Sequence, residues 1–220
     1  MATAMRFAGS ELYIPSSTLP ATKAITGITK ASPGVFTAVA HGYNNGDIVY
    51  IDGVVGMTEV NGIWGVVTAK ATDTFQLTVG LGVLSTSSYT TYSSGGTAQG
   101  YTMARMCEAK SINSQGGSVE QIDTTGMCDS SKTYEAGLSD TGSFSVSANK
   151  LAQGAVQISL RTNEINGTKF PVKIVFPNSA TNGSVMVPVF VQSANWQGAV
   201  GQAWAADFSF KKCAGETYFL

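Results

Sequence analysis

Charged side chains are the scarcest feature of this sequence. Asp, Glu, Lys and Arg make up 12% of the 220 residues, about half of the roughly 25% that is usual for a globular domain. The 13 Lys and Arg nearly balance the 14 Asp and Glu, which gives a net charge of −1. Tight nucleic-acid binding needs a surplus of cations to neutralise phosphates, so this balance argues against it. A surface so poor in charge is weakly protected against self-association, which a protein that assembles can tolerate.

The side chains that build metal sites and catalytic centres are also few. The sequence has one histidine, His41, and three cysteines, Cys107, Cys128 and Cys213, with no CxxC pair. These spacings exclude the usual zinc and thioredoxin patterns, and we expect reduced, mostly buried thiols. No GxSxG, P-loop or GxGxxG motif occurs. The sequence therefore predicts no catalytic residue, no metal, no cofactor and no enzymatic activity.

Long apolar runs are absent as well. The first residues, MATAMRFAGSELYIPSS, lack the continuous apolar stretch of a signal peptide. No run approaches the roughly 18 residues of a membrane helix. We therefore expect a protein that folds in a cytoplasm and has no membrane partner. Its apolar share of 43% is ordinary for a chain with a packed core.

Alternating patterns predict that most of the chain is β-strand. The segments FQLTV, SFSVSA, FPVKIVFP and AWAADFSFKK place apolar side chains at every second position, as in a sheet with one buried face. In the last segment Trp204 shares the apolar face with Phe208 and Phe210. The segment VMVPVFVQ is apolar on both faces, which predicts a strand covered on both sides. Its Pro188 predicts an edge strand or a bulge.

Two segments depart from the strand pattern. LAQGAVQISLRTNEING has near-helical apolar spacing and predicts one short helix at about residues 153–164, which Asn166 and Gly167 end. SSYTTYSSGGTAQG, residues 87–100, is rich in Ser and Gly and predicts a linker. A second, weaker boundary lies at residues 20–27. The fold class predicted from these patterns is mainly β with one short α-helix.

Residues 34–69, GVFTAVAHGYNNGDIVYIDGVVGMTEVNGIWGVVTA, decide between an active site and a small β-module. Residues 44–47 and the Asn61-Gly62 pair predict tight turns between strands. His41 beside a glycine at a strand end is predicted to be structural, because catalysis would need a second group within hydrogen-bond reach. Four glycines are predicted to need positive φ or close backbone approach, and three acids lie beside the turns: Gly46, Gly53, Gly56, Gly62, Asp47, Asp52 and Glu59.

This stretch resembles a known module, the small β-barrel first seen as the first catalytic-cysteine half-domain (FCCH) of ubiquitin-activating enzymes, which also recurs in phage tail proteins. The features that carry the resemblance are Phe36-Thr37, AHG at 40–42, Gly46-Asp47, GM at 56–57, Asn61-Gly62 and Thr74-Phe75. The resemblance implies an inserted β-barrel module at residues 22–98 without chemistry of its own. The catalytic cysteine of that family lies outside the module, and residues 22–98 contain no cysteine.

The rest of the chain has a second resemblance. The segment CEAKSINSQGGSVEQIDTTGMCDSSKTYEAGLSDTGSFSVSANK, the helix, FPVKIVFPN and VPVFVQSANWQGAVGQAWAADFSFKKCAGE follow one another in an order similar to that of the tail tube, or major tail, proteins of long-tailed phages. The resemblance covers residues 103–220 and implies a β-sandwich domain made of residues 1–21 and 99–220. It also implies hexameric rings that stack into the tail tube through which DNA passes.

The partners implied by this resemblance are further copies of the chain and the other tail proteins, namely tape measure, tail terminator and baseplate. DNA would be only a transient cargo of the lumen, and neutral or acidic residues are expected to line the channel because a chain at −1 lacks the cations that hold phosphates. The protein would then reside in the virion. The alternative is a carbohydrate-binding or adhesive tail fibre or baseplate protein, in which Trp196 and Trp204 would stack on sugars. Packing of these tryptophans in a core or interface is preferred from their strand setting.

The segment at residues 113–140 is the longest part of the tube-like region without clear periodicity. It has five acids against Lys132 and almost no large apolar side chains, which predicts a loop that is mobile in the monomer. The tail tube resemblance implies that this loop contacts neighbouring subunits and orders on assembly, with Arg105, Lys110 or Arg161 of a neighbour as candidate ion-pair partners. The candidate inter-subunit residues are Ser118, Val119, Glu120, Gln121, Asp123, Asp129, Tyr134 and Glu135.

Overall fold

A computed structural model describes residues 7–15, 21–177 and 183–219. These residues form eighteen strands and one α-helix, which confirms the predicted fold class. The helix α1 is Ala155–Asn166, and a short 3-10 turn covers Thr58–Val60. The strands are, in chain order, β1 Glu11–Pro15, β2 Lys23–Ala24, β3 Gly27–Ile28, β4 Val35–Thr37, β5 Ile48–Val55, β6 Trp64–Thr68, β7 Thr74–Val79, β8 Gly82–Val83, β9 Ser94–Tyr101, β10 Met103–Arg105, β11 Ala109–Gln115, β12 Ser118–Asp123, β13 Tyr134–Asp140, β14 Ser143–Asn149, β15 Phe170–Val175, β16 Ser184–Gln197, β17 Ala205–Lys212 and β18 Thr217–Phe219.

The chain divides into two compact units. The first contains Met1–Cys107, Phe170–Val187 and Glu216–Leu220, and the second contains Glu108–Lys169 and Pro188–Gly215. The predicted domain division, residues 22–98 against 1–21 with 99–220, stays a prediction.

The first unit contains a small β-barrel. Its strands follow the order β2-β9-β5-β6-β7-β4-β3. The two end strands, β2 and β3, are neighbours in the sequence, and the two residues between them join the ends of the sheet. Ile25 N–H donates to the Gly96 carbonyl at 2.9 Å, and Thr26 N–H donates to the Thr37 carbonyl at 2.9 Å. The sheet is therefore closed and leaves no long edge unpaired, which confirms the predicted barrel module.

The turns of the barrel are those that the sequence predicts. Gly46, Gly53, Gly56 and Gly62 all have positive φ, between 72° and 96°. At the first turn Asn44 N–H donates to the Asp47 carboxylate at 2.8 Å, and Asp47 N–H donates to the Asn44 carbonyl at 3.1 Å. Asp47 therefore has a structural role in closing its own turn.

The predicted linker is wrong over its second half, because Ser94–Tyr101 is a barrel strand, β9, paired with β5 and β2. Its glycines permit close packing. A Cβ on Gly96 would lie 2.5 Å from a methyl of Val54, and one on Gly100 would collide with the ring of Tyr43. The glycines that suggest a flexible linker in the sequence instead allow the backbone of β9 to pack closely against Val54 and Tyr43.

The remaining strands of the first unit form a sheet in the order β10-β1-β15-β16, with β18 paired to the start of β16. Leu12, Ile14, Val172 and Ile174 are buried on one face of this sheet. Tyr13 lies opposite Arg105 on one side and opposite Lys173 on the other.

The second unit continues from β16 in the order β16-β17-β14-β11. Phe144, Val146, Phe208 and Phe210 are buried, as the alternating pattern predicts. Trp204 does not share this burial and is 54% exposed, because it lies before β17 begins at Ala205. Pro188 does not lie in an edge strand, since β16 has neighbours on both sides. It falls between the residues that pair with β18 and those that pair with β17.

Helix α1 begins and ends two residues later than the predicted bounds of 153–164, and the predicted stop is confirmed, since Gly167 caps the helix in the left-handed conformation with φ of 62°. It docks on β16 through its side chains. Glu164 accepts from Ala194 N–H at 3.2 Å, and Arg161 donates to the Ala194 carbonyl at 3.3 Å. Two side chains on one helix face thus satisfy both backbone groups of a strand residue.

Candidate interaction surface

A two-stranded hairpin of the second unit forms a sheet of its own. β12 and β13 pair antiparallel, and the hairpin continues the line of the β11 and β14 pair. The ladder stops at Gln115 opposite Ser143 and resumes at Ser118 opposite Asp140. We refer to residues 116–142 as the arm. The prediction of an irregular loop over residues 113–140 is therefore wrong, because most of it forms paired strands.

Glycines at the base of the arm allow its two backbones to cross closely. Gly142 has φ of 87°, and a Cβ there would collide with the Gln115 carbonyl oxygen and lie 2.7 Å from the carbonyl carbon of Gly116. A Cβ on Gly117 would collide with the carbonyl oxygen of Asp140. Since larger residues do not fit at Gly117 and Gly142, these positions fix where the ladder breaks and how the arm leaves the sheet.

Polar contacts tie the arm base to β17. Lys211 Nζ donates to both carboxylate oxygens of Asp140, at 2.5 and 2.6 Å, and Gly142 N–H donates to the same carboxylate at 2.7 Å. The Lys211 hydrogen bond, followed by that from Gly142, lowers the pKa of Asp140 below its ordinary value of 3.8. Thr141 Oγ1 donates to the Lys212 carbonyl at 2.5 Å. Residues on both sides of the ladder break are thus held in place.

Lys212 is buried beside this base, with 4% of its surface exposed. Its Nζ donates to Ser114 Oγ at 2.8 Å and to the Gln115 carbonyl at 2.9 Å. A buried ammonium needs several acceptors to replace its lost hydration. Lys212 therefore fixes the end of β11 at the point where the arm begins.

The turn of the arm is closed by its own polar side chains. Asp123 accepts from Thr125 N–H at 2.9 Å and from Thr125 Oγ1 at 2.5 Å, and the Oγ1 contact is the main cause that lowers the pKa of Asp123. Asp129 accepts from Gly126 N–H at 2.7 Å. Two of the predicted inter-subunit acids therefore organise the arm itself.

The arm exposes large apolar side chains on both faces. Residues directly opposite each other share a face, and Ile122, which lies opposite Glu135, shares one face with Glu120. Val119 and Tyr134, which lie opposite Ser139 and Asp123, are on the other face. Leu138 is 85% exposed, and Met127 in the turn is fully exposed. The expectation of almost no large apolar side chains here is wrong, and exposed apolar groups at this density mark an interaction surface.

An open groove of about 610 Å³ lies between the arm and β17. Glu120, Leu138 and Lys211 are among its lining residues. The groove thus brings the apolar side chain of Leu138 beside charges of both signs.

The structure places the eight predicted inter-subunit residues together on this arm. Ser118, Val119, Glu120, Gln121 and Asp123 are on β12, Tyr134 and Glu135 are on β13, and Asp129 is in the turn. Their contact with a neighbour stays a prediction. Leu138, Met127 and the anchoring lysines Lys211 and Lys212 were not predicted from the sequence. Leu138 and Met127 are recognisable there as apolar residues in a polar segment.

Two of the three predicted cationic partners are already engaged within the chain. Arg105 pairs with Glu11 at 3.1 Å, and Arg161 pairs with Glu164 at 2.6 Å. Of the three, Lys110 is the one without a hydrogen bond or ion pair in the described part of the chain.

His41 is part of the barrel core and is 3% exposed. Its Nδ1 accepts from Tyr43 N–H at 3.0 Å, and its Nε2 donates to the Thr74 carbonyl at 3.2 Å. The ring lies 4.9 Å from that of Tyr43 and 5.2 Å from that of Phe75, centroid to centroid. Both nitrogens are thus used in local packing, which is a structural arrangement.

Trp196 and Trp204 form an exposed aromatic pair, 63% and 54% accessible, with ring centroids 5.3 Å apart. The prediction that these tryptophans pack in the core is therefore wrong, and their packing in an interface stays a prediction. The cysteines also differ from expectation. All three are free thiols as predicted, but Cys107 and Cys128 are exposed and Cys213 is half-buried.

Within residues 7–15, 21–177 and 183–219, no group of three or more His, Cys, Asp or Glu side chains is arranged to hold a metal ion. No helix in the same residues is long and apolar enough to span a membrane.

Comparison with family models gives two matches. Residues 84–214, more than half of the chain, match the model for the lambda-like phage tail tube protein. The chain belongs to the lambda-like phage tail tube family. Residues 32–101 match the FCCH domain of ubiquitin-activating enzyme E1, so this tail tube protein also contains the module that its sequence resembles. The arm lies entirely within the tail tube match.

Similar chains among solved structures include the following two. One is the SPP1 tail tube, at 13% identity and a TM-score of 0.41 over 53% of this tail tube protein and 67% of that chain. The other is from the baseplate of the anti-feeding prophage, at 8% identity and a TM-score of 0.41 over 53% of this chain and 83% of that one. No curated protein sequence matches this tail tube protein. Membership of the tail tube family makes it a structural component of the virion.

Proposed function

We propose that six copies of this protein close into a ring, that rings stack into the phage tail tube, and that the arm contacts the neighbouring copies. The observation that carries this proposal is the arm, which exposes Val119 and Tyr134 on one face and Ile122 on the other, with Leu138 exposed in the groove beside Glu120. A hairpin with two apolar faces is left uncovered by its own unit, and a closed, stacked assembly supplies a surface to each face. The sparse charge of the chain fits interfaces whose cores are depleted in charge.

Substitution on the arm tests this proposal. Leu138→Asp places a charge on the exposed apolar face and is expected to abolish tube formation while the monomer stays folded. Leu81→Asp, at a barrel side chain that is 69% exposed, is the matched control and is expected to form tubes. Sedimentation and negative-stain microscopy report tubes, and circular dichroism reports folding. Normal tubes from Leu138→Asp would contradict the role of the arm.

Residues 22–98 form a separable module in this proposal and lie on the outer surface of the tube. Closure of the barrel by Ile25 and Thr26 supports separability, because a closed sheet satisfies its own backbone. Replacement of residues 29–96 by a short Gly and Ser linker is expected to leave tube assembly intact, since long surface insertions cost little loop entropy. A folded, soluble deletion protein that forms no tubes would place the module in the tube wall instead.

If the protein forms a tube, the tube needs the other predicted partners at its ends and in its lumen. The ends of a tube must meet a terminator and a baseplate, a tape measure must occupy the lumen during assembly, and DNA must later pass through it. We propose that neutral or acidic side chains line that lumen, so that DNA slides without binding, and that the protein is made in the host cytoplasm without enzymatic activity. Purified tubes that bind DNA with sub-micromolar affinity in a salt-sensitive manner would contradict this account of the lumen.

A second candidate function is carbohydrate binding or adhesion in a tail fibre or baseplate. The exposed pair of Trp196 and Trp204 is the observation that favours it, since paired aromatic faces can stack on sugar rings. Binding of purified monomer to host cell-wall glycans that is lost in Trp196→Ala, with no tubes from the wild type, would favour this function over the tube.

A further inference from the structure

Three polar side chains form a row across the sheet of the first unit. Arg105, Tyr13 and Lys173 lie opposite one another on β10, β1 and β15, so they share one face. Glu11, two residues before Tyr13 on the same face, is the acid of this row. Its carboxylate pairs with Arg105 at 3.1 Å and accepts from the Tyr13 hydroxyl at 2.6 Å. The acid is therefore shared by two members of the row.

The ammonium of Lys173, the third member, makes no hydrogen bond or ion pair in the described part of the chain. It is nevertheless half-buried, and desolvation lowers its pKa below 10.5 without any opposing carboxylate. Other lysines whose ammonium has no hydrogen bond or ion pair among the described residues, such as Lys110 and Lys132, are exposed and keep their hydration. An ammonium that has lost water and gained no acceptor is destabilising unless a carboxylate reaches it from outside.

The arm offers carboxylates of this kind. Of its five acids, Asp123, Asp129 and Asp140 are bonded within the arm or to Lys211. The carboxylates of Glu120 and Glu135 make no hydrogen bond or ion pair to described residues. The two point to the same face, because Gly137 follows Glu135 by two residues and a Cβ on Gly137 would lie 3.2 Å from the Cβ of Glu120.

We propose that Lys173 is the docking site for the arm of a second copy of this chain, whose Glu120 or Glu135 carboxylate pairs with the Lys173 ammonium. Charge complementarity fixes the partner, since the arm has five acids and one lysine, whereas the row has two cations and one acid that is already shared. Arg105 adds a second positive charge to the row, and the two cations attract the acidic arm electrostatically. This inference rests on the proposed tube, because it names the surface on which the arm lies.

Zero-length cross-linking tests the contact directly. Tubes grown from an equal mixture of unlabelled and ¹⁵N-labelled protein are treated with a carbodiimide, which joins an amine to a carboxylate in direct contact, and are then digested for mass spectrometry. We expect a peptide that links Lys173 to Glu120 or Glu135, with mixed isotope labels, and no such link in the monomer. A Lys173 link with unmixed labels, a link to another carboxylate, or no link in well-formed tubes would overturn the inference and leave the tube in place. Failure of the wild-type protein to form tubes would overturn the proposed function and this inference with it.

Charge reversal provides an independent test. Lys173→Glu is expected to raise the protein concentration needed for tube formation by roughly tenfold or more, because like charges then meet at the interface. The double variant with both Glu120→Lys and Glu135→Lys is expected to do the same, and its combination with Lys173→Glu is expected to recover most of the loss. Lys30→Glu, at an exposed lysine, is the matched control and should assemble as the wild type does. Tubes from Lys173→Glu at the wild-type concentration, or a combination no better than the single variants, would overturn the pairing.

Discussion

Removal of one aromatic ring from the barrel tests whether the module folds by itself. Phe75 is fully buried, and its ring is stacked on that of Phe36 with centroids 5.5 Å apart. Its edges meet the rings of His41 at 5.2 Å and Tyr43 at 5.5 Å. Phe75→Ala therefore opens a cavity at the centre of the barrel, where four aromatic rings meet.

The expected loss is large compared with the stability of so small a barrel. A Phe→Ala change in a core costs about 3–5 kcal/mol, from the lost transfer free energy and the cavity left behind. A module of about 80 residues has an unfolding free energy of roughly 4–12 kcal/mol. Phe75→Ala should therefore leave the module close to half unfolded at the low end of this range, whereas a tube domain that folds separately keeps its stability.

Limited proteolysis with mass spectrometry, read beside thermal unfolding, measures this effect. We expect Phe75→Ala to be cut within residues 22–98 at protease concentrations that leave the wild type intact, while the protein still forms tubes. Leu81→Ala, at a side chain that is 69% exposed, is the control and should behave as the wild type does. A single cooperative transition that is lowered for the whole chain, with cuts spread over residues 99–220 and no tubes, would refute independent folding.

Three further variants or measurements follow from the same structure. Gly142→Ala should redirect the arm and prevent tube formation without unfolding the second unit, because its φ is 87° and an added Cβ collides with the Gln115 carbonyl; normal tubes seen by microscopy would show that the arm direction is not set there. His41→Ala should lower the unfolding free energy of the module by about 1–3 kcal/mol, since the Tyr43 N–H loses its acceptor, and loss of a hydrolytic or metal-dependent activity in this variant would show that the histidine is more than structural. In hydrogen exchange, amides of residues 116–137 should exchange faster in the monomer, where the paired strands of the arm are exposed, than in the tube, where neighbouring copies cover them, and equal rates in both states would mean that assembly does not cover the arm.

The barrel was predictable from the sequence because its signals are local. Positive φ at Gly46 and Gly62 is demanded by turns of a few residues, and the Asn before each of these glycines makes the turn recognisable. The end of helix α1 at Gly167 is predictable for the same reason. The alternation of Phe144 with Val146 and of Phe208 with Phe210 likewise gives the buried face of two strands.

The features that could not be predicted from the sequence depend on contacts between distant segments. β9 resembles a linker in sequence because it is rich in glycine. Its glycines are needed because larger residues would collide with the ring of Tyr43 and a methyl of Val54, which lie more than forty residues away in the sequence. The arm looks irregular because its alternation is interrupted by a bulge between Val119 and Gln121 and by acids that bond their own turn. No local pattern shows that Lys211 meets Asp140 or that Lys173 stays unpaired in the described chain, since both depend on the order of strands in a sheet.

Cryo-electron microscopy of the purified protein under assembly conditions is the most direct test of the central claim. The account predicts hollow tubes made of stacked rings with six-fold symmetry, in which residues 116–142 of each copy lie on neighbouring copies. Particles that remain monomeric at high concentration, or tubes in which the arm touches only its own chain, would contradict it.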